Sequence, residues 1–241
     1  MALHDKTILI TGSARRIGRH LALTAAEAGA EVIIHHGHSS EEAETALDEI
    51  QKRGGKGHII QADLSQPEEI QELIRFAETF SNLYGLINNA AIFGDQTWQD
   101  TSLADWERHF QINLTAPFQL SQAFANQLLP DRQGRIINIL DWRALRPGPD
   151  HFPYTISKAG LSAMTRSLAA ALAPQIQVNG VALGAILPPS NGGDTEGLLD
   201  QVPQGRWAEL DEVGETLMFL LSGPEYLTGE IIHVDGGRHL L

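Results

Sequence analysis

Cysteine is absent from the 241 residues, which excludes a disulfide framework and any thiolate mechanism. Long apolar runs are missing too. No stretch of roughly 18 such residues occurs, so no membrane span is expected. No basic and apolar leader precedes the strand-like Lys6-Thr-Ile-Leu-Ile10, so no signal peptide is expected, and the absence of cysteine sets the expectation of a cytoplasmic location. Basic residues are scarce: 17 Lys and Arg stand against 30 Asp and Glu, a formal charge of −13. Without a broad basic stripe, nucleic acid is excluded as an expected partner. The ten histidines show no metal-ligand spacing, so no metal is expected. Arg15, Arg16 and Arg19 form a local positive spot. It suits a single anionic ligand, or is simply a solvated first helical turn.

What is present is a repeating period. Apolar, unalternated strands at 6–11, 31–35, 57–61 and 86–88 alternate with helices over about 15–28, 40–53 and from Pro67 onward. A long helix over about 103–129 follows, then strand 135–140, helix 154–172, strand 177–181, helix 211–221 and strand 230–234. Unalternated strands joined by helices predict a parallel sheet covered on both faces. Right-handed crossovers make it a doubly wound, Rossmann-like α/β fold of about seven strands. With no linker in view, residues 1–241 read as one dinucleotide-binding domain. The Pro- and Gly-rich stretch 185–208 follows a strand's carboxyl end and reads as a substrate loop, or as an ordinary connection.

The first strand leads into Thr11-Gly-Ser-Ala-Arg-Arg-Ile-Gly18. Gly12 and Gly18 permit close backbone approach to a pyrophosphate, and the next helix aims its amides at the anion. Arg16 stands where a middle glycine might be expected. Past the second strand comes His35-His-Gly-His-Ser-Ser40, without the carboxylate that NAD sites commonly place on the ribose hydroxyls. His38, Ser39 and Ser40 can instead meet a 2′-phosphate, with Arg16 reaching across, which predicts NADPH over NADH. Ser39 with Glu42 also forms a possible capping box. Asp63 either accepts from an adenine or caps its own turn.

Tyr154 and Lys158 are four residues apart, so both leave one face of a helix. Such a pair can deliver a proton, with the ammonium lowering the tyrosine's pKa from its free value of about 10. Asp141 stands ahead of them, just beyond Arg135-Ile-Ile-Asn-Ile-Leu140.

Thr11-Gly12…Gly18, Asp63, Asn88-Asn-Ala90, Asn113, Tyr154…Lys158 and Thr228-Gly…Asp235-Gly-Gly237 together resemble the short-chain dehydrogenase/reductase family over essentially the whole chain. The resemblance implies that Tyr154 donates the proton, Lys158 holds the nicotinamide ribose and tunes Tyr154, and Asn113 interrupts a helix and holds a relay water. It implies that Asn88 braces the strand beside the cofactor. It also places Gly12, Arg16, Ile17, Gly18, Asp63, Leu64, Asn89, Ala90 and Gly184 along the cofactor, and implies a homotetramer.

Two departures stand out. The usual serine near the end of the fifth strand is replaced by Asp141, and Arg16 interrupts the glycine loop. Both, with Phe93 three residues beyond Ala90, are similar to the pteridine reductase branch. That branch implies a flat pterin between the nicotinamide and Phe93, in contact with Arg16, Asp141 and Tyr154. The expected reaction is NADPH-dependent reduction of a dihydropterin at C=N. The alternatives are a carbonyl or 3-oxoacyl thioester reductase, and a non-catalytic dinucleotide-binding protein. For Asp141, a cap or a salt bridge to Arg143 or Arg146 is the structural alternative. Trp142 is expected to pack the rim.

Overall fold

In the computed structural model, which describes residues 2–188 and 197–241, alternate side chains of each central strand enter opposite apolar layers. Ile8 and Ile10 of β1 (Thr7–Ile10) and Val32 and Ile34 of β2 (Glu31–His36) face one layer; Leu9 and Ile33 face the other. Each buried Ile or Leu contributes about 1.5–3 kcal/mol relative to exposure, so both faces must be covered. Helices α1 (Arg16–Glu27) and α2 (Ser40–Lys52) contribute to the first layer. α3 (Pro67–Ala77) contributes to the second.

The remaining strands are β3 (Lys56–Gln61), β4 (Leu83–Asn88), β5 (Gly134–Asp141), β6 (Ile176–Leu183) and β7 (Ile231–Val234). All pairings are parallel, in the order β3-β2-β1-β4-β5-β6-β7. The order reverses between β1 and β4, which opens a crevice at their carboxyl ends. Gly12 leaves β1 there and Asn89-Ala90 leaves β4.

The predicted long helix is three pieces. α4 (Leu103–Phe110) starts at a capping box between Ser102 and Asp105. A π-helical turn follows over Gln111–Thr115, and α5 (Ala116–Gln127) continues it. The helix stops two residues short of the expected 129. Such turns are wider than α-helix and recur at functional sites. α6 runs Phe152–Leu172, starting two residues earlier than expected, and α7 runs Leu210–Ser222. Among the described residues no helix is long and apolar enough to cross a membrane. Residues 189–196 of the expected substrate loop lie outside the described residues. Its remainder holds a short 3-10 turn at Leu199–Gln201.

Candidate active site

The glycine turn is built by exclusion. Gly12 has φ +63, and a Cβ on Gly18 would sit 2.2 Å from the Gly12 carbonyl oxygen. No side chain fits at residue 18, so the turn keeps backbone at its surface. That is the geometry a pyrophosphate needs. Ile17 is half-buried behind it. Asn89 completes the turn, its Nδ2 donating to Thr11 O at 2.8 Å and to Gly12 O at 3.1 Å. The Ala90 amide donates to Thr11 Oγ1 at 3.0 Å. On the far side Gly184 follows β6, where a Cβ would meet Asp235 Cα at 2.6 Å.

His35 is part of this turn, and its role was not legible in the sequence. Its Nδ1 accepts from the Gly12 amide at 3.0 Å, and its Nε2 donates to Ala62 O at 2.9 Å. Burial pushes its pKa down to about 4, so the ring is neutral at physiological pH. The available signal was a histidine inside a fully buried strand, which must find two partners.

The expected phosphate segment is present in part. His38 is exposed, Ser39 precedes α2 and Ser40 opens it. Ser39 makes no side-chain cap bond, so the capping box with Glu42 is not formed. Arg16 does not reach toward this segment. It sits at φ +54, and its Nη2 donates to Pro188 O at 2.6 Å, which turns it toward the start of the 185–208 loop. Asp63 caps its own turn: the Ser65 amide donates to Oδ1 at 2.9 Å, and His38 Nε2 lies 3.8 Å from Oδ2. Burial raises the Asp63 pKa, but the Ser65 hydrogen bonds and nearby cations outweigh it and leave the carboxyl below its usual value. Leu64 is buried beside it.

At the other end of the crevice, α6 presents Tyr154 and Lys158, both buried. Lys158 Nζ donates to Ile139 O at 2.7 Å. Burial lowers its pKa to about 8, against the opposing charge of Asp141. Tyr154 Oη donates to Asp141 Oδ2 at 3.2 Å. The other oxygen of Asp141, Oδ1, accepts from the Arg143 amide at 2.9 Å and lies 3.6 Å from the Arg143 guanidinium. Asp141 is therefore both the expected structural cap and a partner of the tyrosine.

The expectation that Lys158 lowers the Tyr154 pKa is overturned. Burial, then the charge of Asp141 and the hydrogen bond to it, push the phenol well above its ordinary value. Lys158 Nζ lies 5.9 Å from the Tyr154 ring centroid and donates to Ile139 O. The Asp141 carboxyl is itself pushed up by burial, against Arg143 and Lys158.

Asn113, fully buried in the π turn, accepts from the Ile92 amide at 2.9 Å and donates to Ile92 O at 3.1 Å and to Ser157 Oγ at 3.0 Å. It pins the segment that carries Phe93. Phe93 is 54% exposed and meets the Tyr154 ring edge-on, with centroids 4.7 Å apart. Trp142 lies against the guanidiniums of Arg143 and Arg238, at 4.8 and 4.4 Å from its centroid. A buried relay braces the crevice floor. Asn88 Nδ2 donates to Asn138 Oδ1 at 2.8 Å, and Asn138 Nδ2 donates to Thr165 Oγ1 at 2.9 Å. Asn138 also escaped sequence reasoning.

A glycine cradle at the switch point and a buried Tyr–Lys pair beyond it define a dinucleotide-dependent oxidoreductase. A family model described as enoyl-(acyl carrier protein) reductase matches residues 12–239. The 3-oxoacyl-(acyl-carrier-protein) reductase FabG of Aquifex aeolicus is 38% identical, over 98% of both chains. The corresponding reductase of Synechocystis sp. is 33% identical, over 98% of both. Among solved structures, FolM alternative dihydrofolate reductase 1 from Brucella canis, complexed with NADP, superposes at a TM-score of 0.91 with 35% identity. That match covers 100% of this chain and 97% of the other. The chain belongs to the short-chain dehydrogenase/reductase family.

Proposed function

We propose that this chain reduces the C=N bond of a dihydropterin, with NADPH as its cofactor. Neighbouring structures of the family are described as complexes with NADP or NADPH. The cradle of Gly12 and Gly18, which a Cβ would fill, fits the pyrophosphate, and His38, Ser39 and Ser40 supply polar groups for a 2′-phosphate. Lys158 has further N–H donors beyond the one given to Ile139 O, suited to ribose hydroxyls. When bound, the nicotinamide supplies the hydride.

The observation that carries the substrate class is Asp141 on the Tyr154 hydroxyl. A ketone oxygen gains negative charge as it is reduced, and a carboxylate beside it opposes that charge. A ring nitrogen behaves oppositely: protonated C=N is cationic and a better hydride acceptor, and a carboxylate stabilises it. Tyr154 and Asp141 thus hold one proton between them and deliver it to nitrogen. Phe93, exposed beside Tyr154, provides the face on which a flat heterocycle stacks, and Arg16 is the cation we assign to the pterin's polar edge. Stacking would hold the ring in near-attack geometry. The FolM neighbours, described as alternative dihydrofolate reductases, support this reading.

The second reading is reduction of a 3-oxoacyl thioester, favoured by the names of the curated relatives at 33% and 38% identity. Asp141→Ser tests between them. On the pterin reading it lowers dihydropterin turnover by about a hundredfold and raises ketone turnover. If neither rate moves, Asp141 is only the cap of its 3-10 turn. The oligomer we propose is a homotetramer, by analogy with the family, and the compartment is the cytoplasm.

A further inference from the structure

Phe93 lies in a segment without regular secondary structure, yet the backbone on either side of it is tied down. Ile92 is bonded at both its amide and its carbonyl by Asn113. The Gly94 amide donates to His109 Nε2 at 3.2 Å, and His151 Nδ1 donates to Gly94 O at 2.7 Å. The Phe152 amide donates to Gln96 O at 2.8 Å. The clamps come from α4, the π turn and the start of α6. Phe93 is left projecting.

The geometry points to His109 and His151 as positioning residues that hold Phe93 against the substrate, an inference that rests on the stacking role proposed above. His109 is buried on α4. Its Nδ1 donates to Asp105 O at 2.7 Å, which leaves Nε2 as the acceptor that Gly94 requires. A Cβ on Gly94 would lie 2.0 Å from Gln96 Oε1 and 3.0 Å from His109 Cε1, so residue 94 has no room for a side chain. His151 stands at the N-cap of α6 with φ +49, a conformation costly for a residue other than glycine. Held there, its ring does two things. It grips Gly94 O, and it stacks on Phe93 with centroids 4.1 Å apart at 29°. Phe93 is thus fixed on one side by His151 and edge-on by Tyr154.

His151 is also linked to the proton-holding pair through Asp150 and Arg143. Its Nε2 lies 3.8 Å from Asp150 Oδ2, and Asp150 pairs with Arg143 at 2.7 Å. Arg143 in turn faces Asp141. His151 is therefore three contacts from Asp141 along these ion pairs and two from Tyr154 through Phe93. The wall of the site and its proton source share one frame.

A kinetic cycle with dihydrobiopterin as the probe tests this. His109→Leu should raise KM for dihydrobiopterin about tenfold, with kcat and the NADPH Kd within about twofold of wild type. His109→Gln, whose amide oxygen can accept from Gly94, should restore KM. In a Phe93→Ala background, His109→Leu should add less than about twofold. If His109→Leu fails to fold, His151→Leu removes the other half of the clamp at a partly exposed position and should show the same KM signature. Full additivity with Phe93→Ala, or parallel losses in NADPH binding, would overturn the inference while leaving the stacking role intact. A Phe93→Ala variant with unchanged KM, or no wild-type turnover of dihydrobiopterin, overturns the stacking role itself and the clamp with it.

Discussion

Tyr154 Oη donates to Asp141 Oδ2 across 3.2 Å, and this contact sets the proton chemistry of the site. Burial, and then the Asp141 carboxylate, raise the phenol's pKa, so the tyrosine keeps its proton until a basic acceptor arrives.

Tyr154→Phe removes that proton while keeping the ring against Phe93. Turnover should fall by about a thousandfold, within the range for loss of a general acid. The NADPH Kd, measured by fluorescence titration, should stay within about twofold, because the glycine cradle and Lys158 are untouched. Retained turnover would assign the proton to another group.

Burial lowers the pKa of Lys158 to about 8. Below that pH it is charged and can hold the ribose; above it the charge is lost. The kcat/KM for NADPH should therefore decline as pH rises through about 8. Asp141 raises the Lys158 value by its charge, so Asp141→Asn should move this limb to lower pH. A limb that stays in place would separate the two residues electrostatically.

His35 makes stability depend on pH. Its pKa falls from 6.5 to about 4 on folding, so the unfolded chain binds the extra proton first. The contribution is fully present above about 6.5 and is lost as pH falls toward about 4. Its full size is on the order of 3 kcal/mol. Urea unfolding at pH 7 and pH 5 should show a larger drop for wild type than for His35→Asn. Equal drops would remove His35 as the cause.

The parallel sheet and its two helical layers were legible because unalternated apolar strands have one stable use, and the glycine spacing marked the turn after β1. Tyr154 and Lys158 were legible through helical spacing. The pKa shift of Tyr154 was not, because it comes from burial and from Asp141, while Lys158 donates its hydrogen bond to Ile139 O. His35, Asn138 and His151 were missed for a related reason. Each bonds to a partner more than 20 residues away, and no local pattern encodes that. Arg16 was placed correctly on the glycine loop but aimed wrongly, since its partner is a carbonyl 172 positions away.

The most direct test of the central claim is the loss of NADPH absorbance with purified enzyme and a panel of acceptors. The panel holds dihydrobiopterin, dihydrofolate, an acetoacetyl thioester and a simple diketone. The account predicts that kcat/KM for a pterin exceeds that for either carbonyl compound by at least about a hundredfold. A thioester or diketone that matches or exceeds the pterins would contradict it, and with it the reading of Asp141 as the partner of a protonated ring nitrogen.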